Sequence, residues 1–268
     1  MNLNRSNRIG IGIITCNRKH FFEKLINSIP EVDEVVVVND GKPYDNSTYP
    51  NKISEIIQHK NNKGISKTKN DALRFLMNHN CDHLFLLEDD IALNDQAIIE
   101  KYIKASRVSG ILHFNYAYHG FLNRGKNGEP NPRKIVVYPE DVKITLHKNV
   151  TGALSYYRRD VIAKVGLMDE KYKNVIEHVD HTFQIIKHGF HPPFRWFADI
   201  EESYSMVLEL DINLKESMNA KSILPLNLRT RIFEEYFKLK NGCRIWEIPD
   251  TDEDKVMVIL EKIKTKYT

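Results

Sequence analysis

The chain has 268 residues, of which 41% are hydrophobic and 28% are charged, as expected for a globular protein with a sizeable core. Its formal net charge of +3 is too small to favour nucleic acid as a partner, and we expect none. Three cysteines without paired spacing, Cys16, Cys81 and Cys243, argue against a disulfide framework and against a zinc site.

The N-terminus is polar, and no apolar run approaches the length of a membrane span. We therefore expect a cytoplasmic protein. Lysine and arginine residues in the C-terminal half leave open a peripheral contact with the inner face of a membrane.

Strand and helix patterns alternate through the N-terminal half of the chain. Apolar runs rich in β-branched residues predict strands, and apolar residues at helical spacing predict helices. The predicted strands are residues 9–15, 32–38, 53–58 and 82–87, and the predicted helices are residues 21–29 and 66–78. Such alternation implies right-handed crossovers and a mostly parallel sheet flanked by helices, which is an α/β fold.

Three of these strands end in polar residues, at 15–18, 39–41 and 88–90. Because the carboxyl ends of parallel strands meet at one edge of a sheet, we expect a ligand site there. Glu88, Asp89 and Asp90 bring three carboxylates to one point, which is costly unless a cation or a proton offsets them. A divalent metal with a phosphate-bearing substrate explains them; a strand followed by a solvated acidic turn is the alternative.

The C-terminal half is less regular. We predict helices at residues 97–106, 159–165, 175–187, 226–240 and 252–266, strands at 110–118 and 134–138, and a loop at 123–133. The pattern changes after about residue 204. We therefore predict one α/β domain over residues 1–204 and a mainly helical extension, residues 205–268, packed on it.

Several short motifs follow one another along the chain. They are residues 11–18 (IGIITCNR), 35–41 (VVVVNDG), 62–70 (NKGISKTKN), 88–90 (EDD), 151–153 (TGA) and 177–180 (EHVD). In this order they resemble the motifs of family 2 glycosyltransferases, which are inverting enzymes with the GT-A fold that use nucleotide sugars. The resemblance covers roughly residues 8–205 and implies a GT-A, Rossmann-like sheet.

The resemblance implies a nucleotide site at the strand ends. Asp40 would accept a hydrogen bond from the nucleobase, usually uracil; a turn aspartate before Gly41 is the alternative. For Lys67 the alternative is a solvated helix start. The implied nucleotide-binding residues are Thr15, Asn17, Arg18, Asp40, Lys67, Asn70, Glu88 and Asp89, with Asp89 facing the donor sugar or ribose.

The resemblance also implies a divalent cation, Mn²⁺ or Mg²⁺, because carboxylate and phosphate oxygens are hard ligands. Asp90 would be the main ligand of this metal, which would neutralise the departing diphosphate. In such enzymes a third ligand, commonly a histidine, often follows the catalytic helix. No histidine stands at that place here, so we expect Asp199, with His188 and His191 as alternatives.

The catalytic base is where the chain departs from the family pattern. The usual Glu-Asp pair reads Glu177-His178 here, and Asp180 follows two residues later. An inverting transfer needs a base that removes the proton from the acceptor hydroxyl. We expect Asp180 to be that base, with His178 and Glu177 as alternatives; any of the three could instead cap or salt-bridge the helix.

The predicted function is metal-assisted, inverting transfer of a hexose from a UDP-sugar to a hydroxyl of a glycan or lipid-linked acceptor, as in surface polysaccharide or glycoconjugate synthesis. One alternative is a GT-A fold that has lost catalysis and binds a nucleotide, a glycan or a partner. Another is a sugar-phosphate nucleotidyltransferase, although residues 15–20 contain no Gly-rich loop for a triphosphate.

Overall fold

The computed structural model describes residues 7–173, 175–211, 216 and 225–268. The strands are β1 (Ile9–Thr15), β2 (Glu34–Asn39), β3 (Glu55–Gln58), β4 (His83–Glu88), β5 (Ile91–Leu93), β6 (His113–Asn115), β7 (Lys134–Val137), β8 (Lys143–His147), β9 (Leu154–Arg158), β10 (Phe197–Ile200) and β11 (Val207–Glu209). The helices are α1 (Lys19–Ser28), α2 (Ile65–Asn78), α3 (Ile98–Ser109), α4 (Arg159–Val165), α5 (Glu177–Lys187), α6 (Ser203–Met206), α7 (Leu226–Asn241) and α8 (Glu253–Tyr267).

A six-stranded sheet with the order β3-β2-β1-β4-β9-β6 forms the centre of the fold. Strands β1 to β4 are parallel, whereas β9 runs antiparallel to both of its neighbours. Two smaller sheets, β10-β8-β7 and β11-β5, complete the pairing among the described strands. The predicted α/β fold with a mostly parallel sheet is confirmed, and the carboxyl ends of β1, β2 and β4 meet at one edge.

Helices cover both faces of the central sheet, which explains why its strands read as continuous apolar runs. In β1, Ile11 and Ile13 pack with α1 and α3 on one face, whereas Ile14 packs with α2 on the other. Gly12 allows α2 to approach closely, because a Cβ atom at this position would lie 2.7 Å from the Cβ of Ala72.

Some element bounds differ from the prediction. β1 and α4 begin and end at the predicted residues, but α5 begins at Glu177 and the predicted strand at 110–118 is confined to β6. Ile176, which precedes α5, has a φ of 72°, a left-handed conformation that is strained for a β-branched residue. The helix therefore cannot extend towards residue 175 and begins at Glu177. The prediction omitted β5, β8, β9, β10 and β11; β5 and β11 have three residues each, too few to show alternation.

The described C-terminal residues pack against the α/β core. α8 buries Val256, Leu260 and Ile263 in the cluster that contains the side chains of α1 and α3. β11 pairs with β5, so a boundary after residue 204 would separate two paired strands, and the division into two domains stays a prediction. Among the described helices, none is long and apolar enough to cross a bilayer.

A group of histidines is buried in the core. Burial lowers the pKa of His147 to about 3 and the pKa values of His181 and His191 to about 4. His147 is the extreme case, because neither ring nitrogen has a hydrogen-bond partner among the described residues. The protein therefore folds with these rings neutral.

We expect the free energy of unfolding to decrease as the pH falls from about 6.5 towards about 4. In this range the unfolded chain, with histidine pKa values near about 6.5, binds more protons than the folded chain, so stability rises with pH. Urea unfolding at about pH 7.5 and about pH 5 measures the loss. The loss should be smaller in His147→Leu and unchanged in a variant of an exposed histidine, His79→Leu. An identical pH dependence in His147→Leu and the wild type would contradict this account.

Candidate active site

A cavity opens at the carboxyl edge of the central sheet, where β1, β2 and β4 end. Gly152 and Ala153, just before β9, and the start of α5 bound it on the other side. The polar residues that line it are Thr15, Cys16, Arg18, Asp40, Asn62, Thr68, Glu88, Asp90, His119, Glu177 and His178. Residues from the predicted polar strand ends and from the 177–180 motif therefore line the same cavity.

Asp89 lies beneath this cavity and connects the end of β4 to the end of β1. Its Oδ2 accepts hydrogen bonds from Thr15 Oγ1 at 2.7 Å and from Cys16 N at 3.3 Å, and its Oδ1 contacts the Arg18 guanidinium. Burial raises the pKa of Asp89 to about 7, although the Arg18 charge opposes the shift. The predicted contact with a donor sugar does not fit this position, because the carboxylate is enclosed by protein.

Asp90, in the turn after β4, faces the cavity, as does Glu88 at the end of the strand. The Oδ2 atom of Asp90 accepts a hydrogen bond from Arg18 Nη1 at 3.0 Å. Its Oδ1 atom is buried and has no hydrogen-bond partner among the described residues. The Nε2 atom of His119 lies 4.0 Å from Asp90 Oδ2. One carboxylate oxygen of Asp90 therefore has no partner among the described residues.

A carboxylate from a distant part of the chain orients His119. The Nδ1 atom of His119 donates to Glu209 Oε1 at 3.1 Å, and Arg124 Nη2 donates to Glu209 Oε2 at 2.9 Å. Burial lowers the pKa of His119, but the hydrogen bond to Glu209 and the charge of Asp90 outweigh burial and raise it to about 9. Glu209 reaches this place because it pairs with Ile91 where β11 joins β5.

Asp90 and His119 could form one side of a divalent cation site if the cation displaced the proton from His119 Nε2. A carboxylate beside an imidazole that a second carboxylate orients is a usual arrangement around a metal. Here the Asp90 oxygen nearest to His119 is Oδ2, which also accepts a hydrogen bond from Arg18. Among the described residues, no group of three or more His, Cys, Asp or Glu side chains could hold a metal alone. A cation here would take its remaining ligands from phosphate and water, as is usual for Mg²⁺.

Lys69 of α2 is the buried cation between the acidic strand end and α5. Its Nζ atom lies 2.7 Å from Glu88 Oε1 and 3.1 Å from Glu177 Oε1, and donates to Gly152 O at 3.2 Å. Only 1% of its side chain is exposed. Burial lowers the pKa of Lys69, but the two carboxylates outweigh burial and raise it above its usual range. One ammonium group therefore joins the end of β4 to the start of α5.

The three candidate bases lie in different environments. Glu177 and His178 line the cavity, and His178 Nδ1 donates to Glu177 Oε1 at 3.1 Å. Asp180 is buried against α7, where its Oδ2 accepts from Lys240 Nζ at 2.7 Å and its Oδ1 from Asn241 Nδ2 at 3.0 Å. The structure therefore argues against Asp180 as the base, because its carboxylate does not line the cavity and is held by another helix.

Asp40 lines the cavity, but its carboxylate also holds the loop before α2. Its Oδ1 accepts hydrogen bonds from His59 Nδ1 at 2.6 Å and Lys63 N at 2.7 Å, and its Oδ2 accepts from Gly64 N at 2.9 Å. These bonds give Asp40 a structural role, although they reach residues 59 to 64 and not the turn before Gly41 that the alternative interpretation expected. A contact with a nucleobase stays a prediction and would have to share these oxygens.

Asn17, Lys67 and Asn70 do not line the cavity. The Oδ1 atom of Asn17 accepts a backbone hydrogen bond at 2.8 Å from the loop after β2. Lys67 pairs with Asp71 one turn along α2, and Asn70 exchanges hydrogen bonds of 2.8 and 2.9 Å with the Met168 backbone. Each of these side chains bonds to another part of the protein, so the structure does not support direct contacts with a nucleotide.

Asp199 is enclosed in the core and does not fit the predicted role of third metal ligand. Its oxygens accept hydrogen bonds from Tyr102 Oη and Ser203 Oγ, both at 2.6 Å, and from two backbone N–H groups. The alternatives do not fit either. His191 is buried and bonded to backbone atoms, and His188 is exposed at the end of α5. His119 is the histidine that approaches Asp90.

Lys69, His119 and Glu209 were not among the predicted site residues. For Lys69 a signal was present, because it falls on the same helical stripe as Leu73 and Leu76, and a lysine on an apolar stripe needs a buried partner. His119 and Glu209 lie in segments without a motif. Only the pairing of β5 with β11 brings them together.

No family model and no curated protein sequence matches the chain. Among solved structures, GalNAc-T7 with UDP, GalNAc and Mn²⁺ is similar over 97% of this chain and 55% of its own, with a TM-score of 0.52 and 10% identity. The chain thus spans about half the length of that protein. This likeness shows the fold alone: the central, mostly parallel sheet flanked by helices is the GT-A fold of glycosyltransferases.

Two further structures are less similar. The mannosyltransferase PcManGT from Pyrobaculum calidifontis, in complex with GDP-Man and Mn²⁺, matches 97% of this chain and 86% of its own, with a TM-score of 0.41 and 12% identity. Glucosyl-3-phosphoglycerate synthase from Mycobacterium tuberculosis, in complex with Mn²⁺, UDP and glucosyl-3-phosphoglycerate, matches 60% of each chain, with a TM-score of 0.40 and 13% identity.

Replacing Lys69 by methionine should destabilise the protein by about 3–5 kcal/mol, because it leaves the carboxylates of Glu88 and Glu177 without their shared buried partner. Lys67→Met is the matched control on the same helix and should cost less than about 1 kcal/mol, since its ion pair with Asp71 is partly exposed. Urea unfolding measures both. Equal stability of the two variants would contradict the role given to Lys69.

Proposed function

We propose that the protein is an inverting glycosyltransferase that moves a hexose from a UDP-sugar to a hydroxyl group of a glycan or lipid-linked acceptor, with the help of a divalent cation. One observation carries this proposal: the acidic end of β4 and the Glu177–His178 pair face one cavity at the carboxyl edge of a parallel sheet. A diphosphate leaving group needs a cation nearby, and an attacking hydroxyl needs a base. The cavity offers groups suited to both.

The ends of β1, β2 and β4 would bind the donor. The base and ribose would lie against Thr15, Cys16 and the loop held by Asp40, and the diphosphate would reach Asp90 and His119. These two residues would hold Mn²⁺ or Mg²⁺, which when bound acts as a Lewis acid towards the departing diphosphate. The GalNAc-T7 structure contains UDP and Mn²⁺, which supports this choice of donor and cation.

The acceptor would enter beside Val175, Ile176 and His178, which line the cavity at and just before the start of α5. Shortly after His119, Phe121 is 70% exposed and Leu122 is 45% exposed. Exposed apolar side chains that follow a cavity residue in the chain suit a sugar face or a lipid. We therefore include glycans and lipid-linked acceptors, with peripheral membrane contact for the latter, as in surface polysaccharide or glycoconjugate synthesis.

The position of Arg18 favours a second candidate function, binding without catalysis. Its guanidinium contacts Asp89 and lies 3.0 Å from Asp90, so a protein cation already stands at the acidic strand end. A protein that binds a nucleotide or glycan without turnover needs no metal there. UDP binding without turnover across a broad acceptor panel would favour this candidate over transfer.

A donor screen tests the proposed transfer. With Mn²⁺ and a panel of acceptors, the protein should release UDP from at least one UDP-sugar, and EDTA should abolish the release. Proton NMR of the product should show the anomeric configuration opposite to that of the donor. Retention of configuration would contradict inversion, and pyrophosphate release from UTP and a sugar 1-phosphate would indicate nucleotidyl transfer instead.

Asp90→Asn should weaken Mn²⁺-dependent UDP binding by about 10- to 100-fold, because it removes the charge that faces the cation. Asp95→Asn is the control: Asp95 is exposed before α3, and an asparagine there keeps an oxygen for the Ala97 N–H. Calorimetric titration with UDP, with and without Mn²⁺, measures both variants. Wild-type affinity and activity in Asp90→Asn would rule out the metal role.

A further inference from the structure

We propose that the Nε2 atom of His178 is the general base of the reaction and that Glu177 and Lys69 position it without touching the acceptor. This inference rests on the proposed transfer function. It selects one of the candidate bases and assigns the other side chains at the start of α5 a supporting role.

The hydrogen bond between His178 and Glu177 selects the tautomer. Because His178 Nδ1 donates to Glu177 Oε1 at 3.1 Å, the neutral ring carries its proton on Nδ1 and leaves Nε2 as an acceptor. Among the described residues, no side chain or backbone group bonds to this Nε2. The His178 side chain is 24% exposed and lines the cavity, so Nε2 is available to a substrate hydroxyl.

Glu177 is less suited to accept the proton itself. Its side chain is 4% exposed, and its Oε1 is shared between Lys69 Nζ and His178 Nδ1, each at 3.1 Å. Burial raises the pKa of Glu177, but the charge of Lys69 outweighs burial and holds the pKa well below its usual range. A carboxylate stabilised in this way serves better to orient an imidazole, as in other carboxylate–histidine pairs.

Lys69 and Gly152 fix the position of this pair. Lys69 Nζ donates to the carbonyl oxygen of Gly152 at 3.2 Å. A Cβ atom at Gly152 would lie 3.0 Å from Lys69 Nζ and 3.1 Å from His178 Nδ1, so a larger residue there would crowd both groups. The imidazole is therefore held between the backbone before β9 and the Glu177 carboxylate.

The proposed step balances as a single displacement. The proton of the acceptor hydroxyl passes to His178 Nε2, and the hydroxyl oxygen forms a bond to the anomeric carbon of the donor. The bond from that carbon to the diphosphate oxygen breaks, and UDP leaves with the electron pair. The imidazolium formed on His178 is stabilised by the Glu177 carboxylate.

Replacing His178 should lower kcat without changing nucleotide binding. In His178→Ala and His178→Gln, kcat should fall by about 10²–10⁴-fold, while UDP affinity in Mn²⁺ stays at the wild-type level. Added imidazole should restore part of kcat in His178→Ala. The control is His188→Ala, an exposed histidine at the end of the same helix, which should transfer at the wild-type rate.

Variants of Glu177 separate positioning from direct catalysis. Glu177→Gln keeps an oxygen that accepts from His178 Nδ1, so it should retain more activity than Glu177→Ala. If Glu177 were the base, both variants would be equally inactive, and formate would rescue Glu177→Ala while imidazole would not rescue His178→Ala. If that pattern is found, or if His178→Ala transfers at the wild-type rate, His178 is not the base. Neither result contradicts sugar transfer itself. A wild type that binds no UDP and transfers no sugar overturns the proposed function itself.

Discussion

One buried ammonium group determines the geometry of the candidate site. Lys69 lies 2.7 Å from Glu88 and 3.1 Å from Glu177, on a helix that packs against the central sheet. Burying a charge costs several kcal/mol unless partners offset it, so the ammonium and the two carboxylates are stable only together. The end of β4 and the start of α5 cannot separate without breaking this contact. The distance between the proposed diphosphate site and the proton acceptor is therefore set by an interaction that also stabilises the core.

The order of strands and helices in the N-terminal half could be predicted because it is encoded locally. β1, β2 and β4 are apolar on both faces, and each ends in polar residues that reach the same edge of the sheet. The short strands of the C-terminal half could not be predicted, because they depend on pairing between distant segments. The contact of His119 with Glu209 follows from such a pairing. Local patterns therefore located the cavity but not all of the side chains that complete it.

In two places the fold supplies a charged partner that the sequence does not show. The three carboxylates at the end of β4 predicted a metal ion as their counter-charge. In the structure, the protein cations Arg18 and Lys69 already contact them. Likewise, Asp180 falls close to Glu177 on a helical wheel, yet α7 provides Lys240 as its partner and removes it from the cavity. In both cases the sequence shows a charge but not its partner, since the partner comes from another element of the fold.

The pairing of β11 with β5 has a consequence for how the molecule is made. A chain that leaves the ribosome from its N-terminus can pair β1 with β2 and β4 while synthesis is still under way. At that stage His119 has no carboxylate to orient it, because Glu209 has not yet been added. The carboxylate that orients His119 at the cavity is therefore added late in translation, so a nascent or prematurely terminated product would carry the sheet without a finished site.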